Sequence, residues 1–258
     1  MKWFFVIGIV MSLVVVYRWH LPPTENPFYR TPFDRVQGDR AGGMNKTDKT
    51  NRTDRTDRTD RTNKMRRLII PVPFQPQAPF ADWNEPWNEA CEEAALVLAN
   101  RFARNLTTLT PEEMRDEILQ LVKYQNEHYG DYEDSDAGRT AEIGRAVYGI
   151  NAEAEKVKNV EEIKTLLRDG NIVIAPMAGR LLNNPYFRQP GPLYHMVVVR
   201  GFDDEQQEFV TNDVGTRRGE GYRYPYATLW NALHDFPGEK ERILRGDKRI
   251  MVIKSQPW

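Results

Sequence analysis

Reactive side chains are scarce in this sequence. Its 258 residues include one cysteine, Cys91, and four histidines, His20, His128, His195 and His234. A single cysteine excludes a disulfide within the chain, so cysteine usage does not report the redox compartment. Only three serines occur, Ser12, Ser135 and Ser255, and none sits in the sharp Gly-x-Ser-x-Gly turn that presents a serine nucleophile. A Gly-x-x-x-x-Gly-Lys-Ser/Thr loop, the phosphate-cradling signature, is also absent. Net charge is small too, since 36 basic residues nearly balance 37 acidic ones to leave −1.

The charge that is present is unevenly spread. Met44 to Arg67 carries nine Lys/Arg against four Asp, a local +5, so the rest of the chain is near −6. This stretch repeats a Thr-Asp-Arg triplet and has almost no apolar residues, too few to offset the entropy of ordering it. It reads as a solvated, disordered spacer. Because the basic character belongs to the spacer, the sequence gives no sign of nucleic-acid binding by the folded part.

Before the spacer, Trp3 to Tyr17 is apolar apart from Gly8 and Ser12. Fifteen residues fall short of the roughly 20 that span a bilayer, but Lys2, Arg18 and Trp19 can extend the run by snorkelling. No small-x-small cleavage pattern follows, so an uncleaved anchor is expected rather than a signal peptide. Residues 1–20 are thus the expected membrane segment and 21–67 the linker. Residues 68–258, about 190, suffice for one domain with its own core. That domain is expected on the extracytoplasmic side, although positive charge flanks the apolar run at both ends.

Within the domain, helical patterns come first and strand patterns second, which predicts an α+β fold with segregated halves. Residues 66–87 are extended and Pro-rich. Asn88 reads as the N-cap of a helix to about Ala103, apolar almost all round and therefore buried. Thr110 and Glu113 form a capping box with Pro111 at the first helical position. Shorter helices are predicted over 141–148, over 160–168 (stopped by Gly170) and near 227–234. "NIVIAPMA", "YHMVVVRGF", "EFVTND" and "RIMVIK" read as strands.

A cysteine in the third position of a helix faces free N–H groups and the positive dipole end, which lower a thiol pKa. Glu92 and Glu93 follow it, and helical geometry turns them about 100° and 200° away. A thiol nucleophile needs a base, and the base needs an orienting group. His195 opens a strand whose next strand ends in Asn212-Asp213. With a three-residue turn over Asp203 to Glu205, Phe202 pairs with Gln206 and His195 falls opposite Asp213. Asn212 takes that place only if the register shifts by one. An oxyanion hole then asks for an amide donor upstream, Gln75 or Gln77.

"VPFQPQAPFADWNEPWNEACEEAALVLA" together with "YHMVVVRGFDDEQQEFVTNDVG" resembles the bacteriocin-processing (double-glycine) peptidase-like family of the papain-like cysteine peptidases, over roughly Ile70 to Trp230. The resemblance implies Cys91 as nucleophile, His195 as general base and then acid, Asp213 as its orienting group and Gln77 as oxyanion donor. It also implies a helical half carrying the cysteine against an antiparallel sheet half carrying His195 and Asp213. Glu92-Glu93 stand where such relatives often have Gly-Pro. The expected activity is that of a membrane-tethered cysteine peptidase acting on a peptide or protein substrate, with no metal or organic cofactor. The alternatives are an amidase or acyl transferase using the same residues, or an inactive surface binding module. Two weaker patterns remain. Asp131, Glu133, Ser135 and Glu142 have calcium-loop spacing but Asp136 replaces the required glycine, so a solvated acidic loop is expected. The segment "NNPYFRQPGPLY" reads as a lid or a surface connection.

Overall fold

The computed structural model describes residues 65–255. The expected membrane segment, 1–20, and nearly all of the 21–67 linker therefore lie outside the described residues. Five α-helices and seven strands follow. They are β1 (Arg67–Ile69), α1 (Cys91–Ala103), α2 (Pro111–Tyr129), α3 (Ala137–Tyr148), β2 (Ala152–Lys156) and α4 (Val160–Arg168), then β3 (Ile172–Ala178), β4 (Tyr194–Asp203), β5 (Glu208–Asn212), β6 (Tyr222–Pro225), α5 (Tyr226–Ala232) and β7 (Arg249–Ile253). The strands form one antiparallel sheet in the order β2-β7-β3-β4-β5-β6, with β1 paired to β4.

The helical half precedes the sheet half along most of the chain, as the residue patterns predict. Helix α1 is the central element: all thirteen of its residues are buried, and it packs on β4, α2 and α3. Burying side chains such as Leu96, Val97 and Leu98 is worth about 1.5–3 kcal/mol each. The polar residues of α1 are matched by α2, where Glu117 accepts from Asn100 and forms an ion pair with Arg101. The capping box of α2 forms as expected, Thr110 accepting from the Glu113 N–H and Glu113 from that of Thr110.

Three elements differ from expectation. Helix α1 begins at Cys91, with Ala90 before it and no side-chain cap. Asn88 is instead held in a turn, its carbonyl and that of Trp87 both accepting from Gln77. Helix α3 begins at Ala137 because Asp136 caps it, accepting from the Arg139 N–H. The acidic pattern around it is thus a helix start, with Glu142 on α3 itself. Strand β2, "AEAEK", lies at the sheet edge beside β7, where only its first residue is buried. Among the described residues no helix is long and apolar enough to cross a membrane.

Candidate active site

Cys91 is the first residue of α1, not the third. The Glu92 carboxylate lies against the sulfur rather than turning away from it: the thiol donates to Glu92 Oε2 at 2.9 Å. Glu92 Oε1 accepts the Ser135 N–H at 3.0 Å. Glu93 is fully buried on another side of the helix, where Gln125 donates to one of its oxygens and the other has no partner. Burial, and then the charges of Glu92, Glu93 and Asp134, push the Cys91 thiol well above its ordinary value. The expectation that the helix N-terminus lowers it is corrected accordingly. Four unpaired N–H groups cannot outweigh desolvation plus two adjacent carboxyl groups.

His195 reaches Asp213 by a route that the expected turn does not describe. Strands β4 and β5 are joined by the four residues 204–207, so Asp203 pairs with Glu208 and Phe202 with Phe209. Continued without interruption, that register would set Asn212 on the face of His195, because one extra loop residue reverses every side chain. A β-bulge between Val199 and Gly201 restores the parity, and Val198 then pairs with Asn212. It lies where β1 closely approaches Gly201. A Cβ on Gly201 would come within 2.3 Å of the Leu68 carbonyl oxygen, so only glycine admits β1 at this distance. Arg200, the bulged residue, donates to Asn212 Oδ1 (2.9 Å) and to the Ile70 carbonyl (3.0 Å). Asn212 is thereby tied to the opposite face, where it donates to Val72 O.

The outcome is a buried pair, His195 Nε2 2.8 Å from Asp213 Oδ1. The two residues are diagonal across the strands rather than directly opposed. Gly215 is the residue closer to the ring, and a Cβ there would lie 2.7 Å from His195 Cε1. Asp213 Oδ1 also accepts from the Gly215 N–H, while Oδ2 accepts from Tyr224 Oη (2.5 Å) and Asn184 Nδ2 (3.0 Å). Burial pushes this carboxyl up, but His195, Tyr224 and Gly215 outweigh it and hold Asp213 below the usual carboxylate range. Phe187 packs edge-on to the imidazole at 5.3 Å between ring centroids. With Nε2 committed to Asp213, Nδ1 is the ring nitrogen left for exchange with a reacting group.

Gln77, Cys91 and His195 line one cleft of about 400 Å³. Gln77 comes to it because its N–H bonds Val214 O in the sheet half (2.9 Å), while its side-chain amide donates to Trp87 O (2.8 Å) and Asn88 O (3.3 Å) in the helical half. Gln75 points elsewhere, to Leu109 O, so the two glutamines separate cleanly. The segment before His195 contributes Phe187 to Leu193 to the wall. Lys240 forms another part of it, paired to Glu89 (2.7 Å) and Asp134 (3.1 Å). Sequence reasoning missed Asn184, Tyr224, Gly215 and Lys240. None carries a local signal, because each reaches the site through tertiary packing. Among the described residues no group of three or more His, Cys, Asp or Glu is arranged to hold a metal ion.

No curated protein matches the chain. Among solved structures it is similar to a C39-like peptidase from Bacillus anthracis, at 14% identity over 74% of this chain and 99% of that one, with a TM-score of 0.48. It is also similar to xylellain, a cysteine protease from Xylella fastidiosa, at 16% identity over 74% of this chain and 87% of that one, with a TM-score of 0.36. Residues 69–236 match the model of the Peptidase_C39-like family, a span that runs from β1 past α5 and takes in every residue of the cleft except Lys240. With its cysteine on the central helix and its histidine on the antiparallel sheet, the chain belongs to the Peptidase_C39-like family and is a cysteine peptidase of papain-like fold.

Proposed function

We propose that the domain hydrolyses peptide bonds with Cys91 as nucleophile, His195 as base and then acid, Asp213 as the group orienting the imidazole, and Gln77 as an oxyanion donor. The observation that carries this reading is the His195–Asp213 pair at 2.8 Å beneath a cleft that also holds Cys91 and Gln77. In the first step the thiol proton passes to His195 Nδ1 and the sulfur attacks the carbonyl carbon. Asp213 keeps its negative charge and stabilises the imidazolium. The oxyanion is met by the Cys91 N–H, in the first turn of α1 where donors lack helical acceptors, and by Gln77. Of the two Gln77 bonds, the longer, to Asn88 O at 3.3 Å, is the one exchanged for the oxyanion. His195 then protonates the leaving amine, and water deprotonated by the same, now neutral imidazole hydrolyses the thioester.

Cys91→Ala tests this directly. Turnover of a peptide substrate should fall to background while the melting transition is retained, because the side chain lost is small. Residual turnover near the wild-type level would remove Cys91 from the reaction. We further propose that residues 1–20 anchor the chain in a membrane and 21–67 tether a domain of residues 68–258 on the extracytoplasmic side. The composition supports this: an apolar run is followed by a polar, repetitive spacer. Deleting residues 1–67 should move the protein from the membrane to the soluble fraction with kcat unchanged. Loss of cooperative unfolding in that variant would put the boundary elsewhere.

A further inference from the structure

The proposed mechanism leaves one group at the nucleophile unused. Glu92 is 2% exposed, and its two carboxyl oxygens are each committed, one to the Cys91 thiol and one to the Ser135 N–H. Its position is further fixed because Tyr194, on β4 next to His195, donates to Ser135 O at 2.7 Å. A first-turn acidic residue that only favoured the helix dipole would point to solvent. This one is folded back onto the sulfur.

We propose that Glu92 is a positioning residue that gates Cys91: as a carboxylate it accepts the thiol proton's hydrogen bond and opposes proton transfer, and as a neutral acid it donates to the sulfur and favours that transfer. The proposal rests on the Cys91–His195 reading above. Two charge states of one rigid contact have opposite effects. Ionised Glu92 puts a negative charge about one hydrogen bond from the sulfur, so a thiolate there meets like charge in a buried setting. Neutral Glu92 offers an O–H donor at the same place. The proton balance is then simple. The S–H bond of Cys91 breaks, an N–H bond forms at His195 Nδ1, and Glu92 keeps its own proton while bonding the sulfur.

The surroundings allow both states near neutral pH. Burial pushes the Glu92 carboxyl up to about 7, against the opposing pull of its bonds to Cys91 and Ser135. Facing it are Cys91 and Glu93 on its own helix, Asp134 from the loop before α3, and Tyr194 from β4. Asp134 is in turn paired with Lys240, and Glu93 faces Gln125 of α2 and Arg139 of α3. The charge of Asp134 adds to burial in favouring proton uptake by Glu92 as pH falls.

The test uses the one thiol of the full chain as its own reporter. Alkylation of wild-type protein by iodoacetamide, followed across pH, should pass through a maximum on the acid side of 7 and decline as Glu92 ionises. It should rise again only when the thiol itself ionises in alkali. In Glu92→Gln the amide donates to sulfur at every pH, so the decline should vanish and the rate at pH 8 should exceed wild type by about tenfold, the equivalent of one pKa unit. His195→Ala should abolish the acid-side maximum altogether. If it does and Glu92→Gln still shows the wild-type decline, the gating role is wrong while the Cys91–His195 pairing stands. If His195→Ala keeps the maximum, the pairing itself is wrong. Should the glutamine variant not fold, thiolate absorbance of the wild-type protein gives the same answer: a dip above pH 7 supports the gate, and a single monotonic rise overturns it.

Discussion

On the sheet side of the cleft, Asp213 is a fully buried carboxylate with four donors: the imidazole, Tyr224, Asn184 and the Gly215 N–H. On the helix side, Glu92 and Glu93 are buried to the same degree, yet Glu93 has one bonded oxygen and one without a partner. The same desolvation acts on all three. Donors decide the outcome: Asp213 is held below the ordinary carboxylate range, while burial raises Glu92 to about 7 and Glu93 to about 8. The cleft therefore has a negative charge behind His195 and a titrating group beside Cys91. Burial alone says little about the charge of a carboxyl group; the census of its donors says nearly everything.

Breaking the fully bonded side should cost most. Asp213→Ala removes the group that fixes the imidazole and strands three other donors. A loss in kcat of about 10³–10⁴-fold is expected, by analogy with removing the orienting acid from a triad. Thermal or denaturant unfolding should also show a stability loss of about 3–5 kcal/mol, as for a buried charge partner removed. Unchanged kinetics would mean that His195 needs no orienting group. Next comes Gln77→Ala, which should lower kcat by about 10²–10³-fold if it supplies one oxyanion donor. Gly215→Ala puts a methyl group against the imidazole and should cost about 10²-fold in kcat through misplacement of the base. The clash should also cost about 1–3 kcal/mol of stability. So kcat is compared at a temperature where the variant keeps a native melting transition, which separates misplacement from unfolding.

The pH dependence of stability sharpens the same contrast. Glu92 and Glu93 bind protons in the folded domain at pH values where the unfolded chain, near 4.5 for each, has released them. Their contribution is fully present below about pH 4.5 and is lost as pH rises through 7 and then 8. Asp213 has the opposite sign: its contribution is present above the ordinary aspartate range and is lost as pH falls through its depressed folded value. Melting curves at pH 6 and pH 9 should therefore show lower stability at pH 9. Glu93→Gln should recover about 2–4 °C of the loss at pH 9, roughly 1 kcal/mol for a domain of this size. An equal fall in the variant would assign it to other groups. The smallest effect belongs to Gln75→Ala, which loses one bond to Leu109 O, worth about 0.5–1.5 kcal/mol, and leaves kcat alone.

Local chemistry made some of this readable from residues alone. The capping box of α2 and the span of α4 depend on neighbours within four positions, and both form where expected. The α+β order and the separation of Cys91 from His195 follow from periodicity in the same way. The register of β4 and β5 was another matter. The expected three-residue turn is really four, and the Arg200 bulge cancels the error, so His195 meets Asp213 through two departures of opposite effect. The bulge lies where β1 closely approaches Gly201, a contact between residues more than a hundred positions apart that no local pattern shows. The start of α1 was misplaced for a similar reason, since the Gln77 amide holds Trp87 and Asn88 in a turn from ten residues upstream. That shift of two residues puts Cys91 and Glu92 together at the start of α1.

The central claim is that Cys91 and His195 act as one unit across the cleft, and a double-variant comparison tests it most directly. Specific activity toward a single peptide substrate should be measured for Cys91→Ala, His195→Ala and the double variant, each checked for a native melting transition. Members of one catalytic unit are grossly non-additive. The account predicts that all three variants share one floor, the second substitution costing nothing once the first is made. A double variant whose loss equals the product of the two single losses would contradict it.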